Sequence, residues 1–335
     1  MSVKIDQDPR ALLRPIDYRW RSSEDARLRE EFEQTLIQSL EGLGACVIKN
    51  LPFAPVIREA ALVRRRLFAL SEAQKKQYTA ERLSLMRPGY LPVYIEQYGD
   101  LDTQGRELWS FMRVQENLKK DFDHYTRANV FPAELPDCER VYPGYLDALE
   151  RVSFAILETV ARHYGQDADF FIPMLRNGSR ICRLAHYPRP IRPQEGPRIV
   201  PHRDFAFLTL IVNIEGPGLE LAAHGLKRWL PIEPGPLEIF VLAGEMLEYA
   251  VNNRILAGLH RVSGERGLER SRYSSPCFFT GNGAGPIRRF ETDVDNSYLR
   301  EDPRLAVMTP LEFFEHRAEG FREAHTERFN AWPLI

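Results

Sequence analysis

Residues 201–212 read PHRDFAFLTLIV, an apolar run that opens with an imidazole and a carboxylate two positions apart, His202 and Asp204. On an extended strand, positions i and i+2 share a face, so both groups would project into one space. Burying either without a partner costs on the order of 2–7 kcal/mol. A surface hydrogen bond between the two at a strand end would account for the pair, and so would a cation held by both. A cation needs a further ligand, and His260 has the best context for it. It sits in NNRILAGLHRVSG, between two strand candidates, as a barrel-lining residue would. His316 and His325 fall on the polar part of a terminal helix, His163 at a helix end and His224 in a turn beside Gly225. His202, Asp204 and His260 then make a set of two histidines and one carboxylate. On iron(II) such a facial set leaves three positions open, enough for a bidentate co-substrate and dioxygen. Zinc accepts the same ligand types without redox chemistry, so ligand type alone leaves the metal open.

Twelve residues after His260 comes Arg272, in the strand candidate RYSSPCFF. The two-residue period puts Arg272 and Ser274 on one face. A guanidinium pairs with a carboxylate in bidentate fashion and a hydroxyl adds a third bond, so the two could grip the far carboxylate of a diacid. A surface arginine beside a strand serine is the plain alternative; the company of the metal set favours the grip.

Elements must position these groups. SSEDARLREEFEQTLIQSLE (residues 22–41) spaces Leu28, Phe32, Leu36 and Leu40 as one helix face, with Ser22 and Asp25 resembling a capping box and Gly42 or Gly44 able to end the helix. ACVIKNL reads as a short strand, and a second helix is expected over 55–70. Ser71 and Gln74 form another capping box. A long helix fits 145–164, with Leu149, Val152, Ile156 and Val160 inward, and Thr309-Pro310 opens a last one over 309–330. Between 178 and 285 the character changes to short apolar strands, RICRLAHY, FLTLIVNI, LELAA, RWLPI, IFVLAG and RYSSPCFF, separated by Gly and Pro turns. Helices before and after such a core give an α+β fold. A double-stranded β-helix, the cupin-like jelly roll, fits best. The chain reads as one domain over 1–335, with 12–120 as an N-terminal region of helices and first strands.

The composition is that of an ordinary globular protein, 335 residues with 44% hydrophobic and 27% charged. A net charge of −2 gives no reason to expect nucleic acid or an anionic membrane surface as partner. No apolar run reaches the roughly 20 residues of a membrane span, and MSVKIDQDPR lacks a signal-peptide core, so a cytoplasmic location is expected. Cys46, Cys138, Cys182 and Cys277 stand singly, which argues against a zinc knuckle and a disulfide framework and suggests small buried hydrophobes.

With these residues in place, the chain resembles the iron(II)/2-oxoglutarate-dependent oxygenases, in the branch that includes isopenicillin N synthase. RPIDY resembles the opening signature and EEFEQTLIQSLEGLGACVIKNLPF the N-terminal helix and strand; LSEAQKKQY and RPGYLP…GRELWSF follow. RLAHYP, HRDFAFLTLIV, GLEL, RWLPIEP, GEMLEYAVNNRILAGLHRV and RYSSPCFF then fall in family order. The resemblance implies iron(II) on His202, Asp204 and His260, with 2-oxoglutarate and dioxygen as co-substrates. It carries the 2-oxoglutarate carboxylate to Arg272 and Ser274 and suggests Tyr187 as a further hydroxyl contact. Many plant members have Asn-Tyr-Tyr-Pro where this chain has Ala185-His186-Tyr187-Pro188, so any contact made by that Asn is missing here. IFVLAGEMLEY departs from the usual Asn-Ile-Gly-Asp form, although Gly244 and Glu245 keep its end.

The implied chemistry is oxidation of an unactivated C–H bond of a small molecule, by hydroxylation, desaturation or ring closure, with release of succinate and carbon dioxide. The resemblance also suggests secondary metabolism, antibiotic biosynthesis included, and a monomer or weak homo-oligomer. Substrate-pocket candidates are Arg87, Tyr90, Trp109, Phe111, Arg183, Phe205, Phe207, Phe314 and Phe321; the aromatics would serve equally as core. A buried Arg87 or Arg183 needs an anionic partner, which a carboxylated substrate or a nearby glutamate would supply. The rivals are an oxidase of the same branch that uses no 2-oxoglutarate, and a non-enzymatic cupin-like binding protein.

Overall fold

The computed structural model describes residues 9–79, 88–93, 97–98, 101–102, 105–113, 128–176, 178–189, 197–223, 228–264, 270–282 and 286–290. The expected C-terminal helix with Phe314 and Phe321, and Arg87, lie outside the described residues. The first half runs β1 (Ile16–Asp17), α1 (Ala26–Leu43), β2 (Ala45–Lys49), α2 (Ala54–Phe68), α3 (Glu72–Lys76), β3 (Gly89–Leu91), β4 (Gln97–Tyr98), β5 (Leu101–Asp102), β6 (Glu107–Arg113), α4 (Asp137–His163) and α5 (Ile172–Leu175). The second half runs β7 (Arg180–Tyr187), β8 (Ile199–His202), β9 (Leu208–Glu215), β10 (Leu219–Ala222), β11 (Trp229–Pro231), β12 (Ile239–Ala243), α6 (Glu245–Ala250), β13 (His260–Val262) and β14 (Arg272–Phe279). Among the described residues no helix is long and apolar enough to cross a membrane.

The helices follow their local signals with two differences. The N-cap of helix α1 is Asp25, not Ser22. The Asp25 side chain accepts from the Arg27 N–H, while Ser22 ends a short 3-10 turn. The helix stops at Gly44, whose φ of 64° suits a residue without a Cβ. Helix α4 begins at Asp137, well before the expected 145, and runs through Pro143. Proline removes a helical N–H there, but Cys138, Val141, Tyr142 and Tyr145 bury against the core, and that packing carries the helix across the break. The capping box of α3 forms as expected, with Ser71 Oγ accepting from the Gln74 N–H and Gln74 Oε1 from the Ser71 N–H.

The strands build a large sheet in the order β1-β2-β12-β9-β14-β7-β6-β3 and a smaller one, β11-β10-β13-β8. Among the described strands of these two sheets, β1 and β2 pair in parallel and every other pairing is antiparallel. Two apolar clusters occupy the two faces of the large sheet. Ala45, Val47, Leu108, Ala185, Tyr187, Ile211, Phe240 and Leu242 face the small sheet's Leu219, Leu221 and Val262 and fill the space between the sheets. Cys46, Ile48, Trp109, Phe111, Cys182, Leu184, Leu210, Val241 and Cys277 turn the other way and meet α1, α2 and α4. The jelly-roll core is thus covered by helices on one side and open to the site on the other. All four cysteines are free and buried.

A buried polar knot joins the helix side to the sheet. Glu107 accepts from Lys75 Nζ (2.7 Å), the Tyr90 hydroxyl (2.6 Å) and His186 Nδ1 (2.7 Å). Burial pushes its carboxyl up, but donation by His186, Lys75 and Tyr90 outweighs this and holds it below the ordinary glutamate value. A carboxylate with a lowered folded-state pKa contributes stability above its unfolded value, about 4.3, and loses it as pH falls through the folded value. Glu107→Gln strands the buried Lys75 ammonium and is expected to cost about 3–5 kcal/mol at pH 7. Urea unfolding followed from pH 7 to 3 should show the acid-side loss of stability smaller in the variant than in the wild type.

Candidate metal centre and carboxylate site

His202 ends β8 and His260 opens β13, and the two are register partners. His260 also pairs with Leu221, which faces the inner cluster, so both imidazoles point between the sheets. Their ring centroids are 4.2 Å apart. Asp204 lies in the loop after β8, so the two-residue period of one strand is not what aligns it with His202. Its backbone does the work instead. The Asp204 carbonyl accepts from the Glu245 N–H at 2.8 Å, and Phe207 O accepts from the Gly244 N–H at 3.1 Å, pinning the loop against the end of β12. A Cβ on Gly244 would stand 2.0 Å from Ala206 O and 2.9 Å from Asp204 O, so only glycine permits this approach.

The three ligand atoms lie within 4.8 Å of one another. Nε2 of His202 is 3.6 Å from Asp204 Oδ1, and Nε2 of His260 is 3.9 Å from Asp204 Oδ2. Each imidazole turns Nδ1 to a backbone carbonyl, Val200 O at 2.8 Å and Gly258 O at 3.0 Å. Carbonyls only accept, so Nδ1 of each ring carries a proton, and in the neutral tautomer this fixes it is Nε2 whose lone pair faces Asp204. Burial, reinforced by His260 and opposed by Asp204, pushes the His202 pKa down to about 4. His202 is therefore neutral at pH 7, and its contact with Asp204 is no ion pair. Asp204 Oδ2 is buried and accepts no hydrogen bond. Two lone pairs and an unsatisfied carboxylate oxygen converging on one point fit a divalent cation.

The second half of the site is on β7 and β14. Arg272 pairs with Tyr187 and Ser274 with Ala185, and all four are buried on the inner face. Arg272 Nη1 donates to Ser274 Oγ at 3.3 Å, and its Cζ lies 4.7 Å from the Tyr187 ring centroid. Arg272 Nε is buried without a hydrogen-bond partner. The alternation expected of the strand therefore holds, and Tyr187 joins the pair. Sequence pattern alone does not single out Arg106 and Arg198. Both are buried, the first donating to the Tyr187 hydroxyl and the second lying over its ring.

The pocket candidates divide by face. Tyr90 pairs with Trp109, Trp109 with Leu184 and Phe111 with Cys182, and all belong to the helix-side cluster. Phe111 stacks on Tyr142 of α4 at 4.4 Å, and the Tyr90 hydroxyl is committed to Glu107. Phe207 packs edge-on against Phe171, and Phe205 leans on the same cluster. Tyr90, Trp109, Phe111, Phe205 and Phe207 thus pack on the helix side of the sheet, the core role that their residue types equally allow. Arg183 is different. It pairs with Ser110, two positions from Ala185, and so shares the inner face; its guanidinium lies 5.4 Å from the Phe278 ring centroid.

The 2OG-Fe(II) oxygenase superfamily profile matches residues 178–281, the stretch that holds the three ligands and the Arg-Ser pair. A 2-oxoglutarate-Fe(II) type oxidoreductase of Emericella nidulans is 26% identical over 65% of this chain, a match that spans 64% of the relative's own length. A 2-oxoglutarate-dependent dioxygenase of Aspergillus rugulosus is 27% identical over 78% of this chain and 81% of its own. The crystal structure of a 2OG-Fe(II) oxygenase family protein from Caulobacter crescentus superimposes with a TM-score of 0.76 at 27% identity, covering 91% of this chain and 98% of that one.

If the three side chains share a cation, each single replacement should abolish iron(II) binding while leaving the fold. At 100 times Kd the metal should stabilise the wild type by about 2.7 kcal/mol. Asp204→Ala should show no such shift, and its metal-free form should be no less stable than the wild type, because an unsatisfied carboxylate has gone. Gly244→Ala leaves every ligand in place, yet it should lower iron affinity by roughly 10–100-fold through the displaced Asp204 loop. Iron content after dialysis and thermal unfolding with and without metal test both.

Proposed function

Because the chain belongs to the 2OG-Fe(II) oxygenase superfamily, we propose that it is an iron(II)- and 2-oxoglutarate-dependent oxygenase acting on a small organic substrate. The observation that carries the reading is the pairing of two half-sites on one inner face. One is a His-Asp-His set with an unsatisfied carboxylate oxygen; the other is a buried guanidinium with an unpartnered Nε, placed beside a serine and a tyrosine. The first half alone would suit zinc as well as iron, and the second alone would suit any small carboxylate. Together they match a ligand that chelates a metal at one end and carries a carboxylate at the other. The non-enzymatic binding protein leaves this second half-site without a use, whereas the oxidase that uses no 2-oxoglutarate would place its own substrate's carboxylate there, so 2-oxoglutarate dependence separates the two.

Iron(II) held by His202, Asp204 and His260 would couple decarboxylation of 2-oxoglutarate by dioxygen to oxidation of a C–H bond, giving succinate and carbon dioxide. The protein's part is orientation. Arg272 and Ser274 hold the distal carboxylate through charge-assisted hydrogen bonds, and Tyr187 offers its hydroxyl to the same group. Val200 O and Gly258 O keep the two imidazoles in the tautomer that leaves Nε2 free. The inner cluster of Leu219, Leu221, Val262, Phe240 and Leu242 keeps bulk water from these groups, which strengthens each polar contact. Arg183, on the same inner face, supports a substrate that carries a carboxylate or another anionic group. A net charge of −2 supports a small molecule over a nucleic acid.

The test is the 2-oxoglutarate dependence of succinate formation. Arg272→Leu removes a desolvated charge-assisted contact and should cost about 2–5 kcal/mol in 2-oxoglutarate binding, with little change in iron content. An unchanged midpoint would move the anchor elsewhere or return the oxidase reading.

A further inference from the structure

Tyr187 ends β7 with its side chain 1% exposed, and three guanidiniums meet its phenol. Arg272 Cζ lies 4.7 Å and Arg198 Cζ 4.9 Å from the ring centroid, and Arg106 Nη1 donates to the phenolic oxygen at 3.4 Å. Arg198 is itself fixed, because Nη2 donates to the carbonyls of Gly105 and Pro188 at 3.0 Å each. It therefore staples the residue before Arg106 to the residue after Tyr187. A phenolic oxygen has two lone pairs and one proton. With one lone pair engaged by Arg106 and the Arg272 guanidinium lying over the ring, the proton is directed away from both cations.

We propose that Arg106 is a positioning residue for the co-substrate: it holds Tyr187 so that the phenolic O–H is presented to the distal carboxylate of a 2-oxo diacid gripped by Arg272 and Ser274. This rests on the carboxylate site proposed above. The electrostatics agree with the geometry. Burial raises the Tyr187 pKa, but Arg106, Arg272 and Arg198 together pull it below the ordinary tyrosine value, which makes the phenol a better donor at neutral pH. In this proposal the effect of Arg106 passes through one hydroxyl.

The experiment is anaerobic equilibrium titration of the iron(II)-loaded protein with 2-oxoglutarate and with 2-oxobutyrate, which chelates in the same way but has no distal carboxylate. Arg106→Met should weaken 2-oxoglutarate about tenfold, the loss of one well-placed hydrogen bond to a charged group. It should leave 2-oxobutyrate unchanged, and Arg106→Lys should recover part of the loss. In a Tyr187→Phe background Arg106→Met should add nothing, because the hydroxyl it orients is gone. Equal weakening of both ligands, or additive losses in the double variant, would assign Arg106 a merely structural role and overturn the proposal. If Arg106→Met does not fold, the same comparisons are made with Arg106→Lys, whose smaller loss should still be confined to 2-oxoglutarate and vanish in the Tyr187→Phe background. A wild type that does not bind 2-oxoglutarate, or binds it regardless of Arg272→Leu, removes the carboxylate site itself. Binding that depends on Arg272 but not on Arg106 removes only the positioning role.

Discussion

The pleat of three neighbouring strands, β6, β7 and β14, is the constraint on which everything else depends. Successive residues must leave a strand on opposite faces, so His186 and Tyr187, or Arg272 and Tyr273, are forced into different environments. Tyr187, Arg272 and Ser274 go inward to the candidate site, while Glu107, His186 and Tyr273 go outward. His186 there stacks on Tyr273 at 4.5 Å, and Arg64 lies over the Tyr273 ring while bonding Ser275 Oγ and Asn213 O. The outer contacts are specific enough to fix the register. A slip of one residue would put Tyr273 inside and Arg272 among the helices, at the cost of a charge buried in an apolar layer.

The metal ligands are held in a different way. Two come from adjacent strands in register, and a third comes from a loop shaped by backbone contacts rather than side-chain packing. Asp204 is aimed by its own carbonyl and by the close approach of Gly244. The protein thus keeps a carboxylate oxygen buried and unsatisfied, which is unfavourable in the metal-free state and is relieved by the cation. A neutral His202 completes the arrangement, because protonating it in this dry setting is costly.

Much of this is legible from residue types and periodicity. His202, Asp204 and His260 emerge as a set, and Arg272 with Ser274 as a strand face, because metal and carboxylate chemistry restrict which side chains can serve. The strands of the second half read well because apolar runs bounded by Gly and Pro leave little choice. Orientation is what misleads. The aromatics of β3 and β6 carry no sign of which face is inward until their partners are known, and the short strand β8 stops at His202 where the sequence suggests continuity. Helix α4 crosses Pro143 because tertiary burial outweighs a local breaker. Arg106 is hidden for another reason: among 45 basic residues nothing in the sequence marks the one that meets a phenol eighty-one positions away.

The four buried thiols bear on durability. The proposed chemistry, in which dioxygen meets iron(II), would expose the protein to its own oxidant whenever turnover misfires. Thiolates are the side chains that peroxide attacks most readily, and the protonated, buried thiol is far less reactive. Cys46 and Cys277 are pushed well above the ordinary thiol value by burial, and Cys138 up to about 12. Cys182 and Cys277 face each other across β7 and β14 on the helix side, with the sheet itself between them and the candidate iron site. The same alternation that assembles the site therefore shields these two thiols from it. Damage from a misfired turnover would fall first on the inner-face residues that surround the metal.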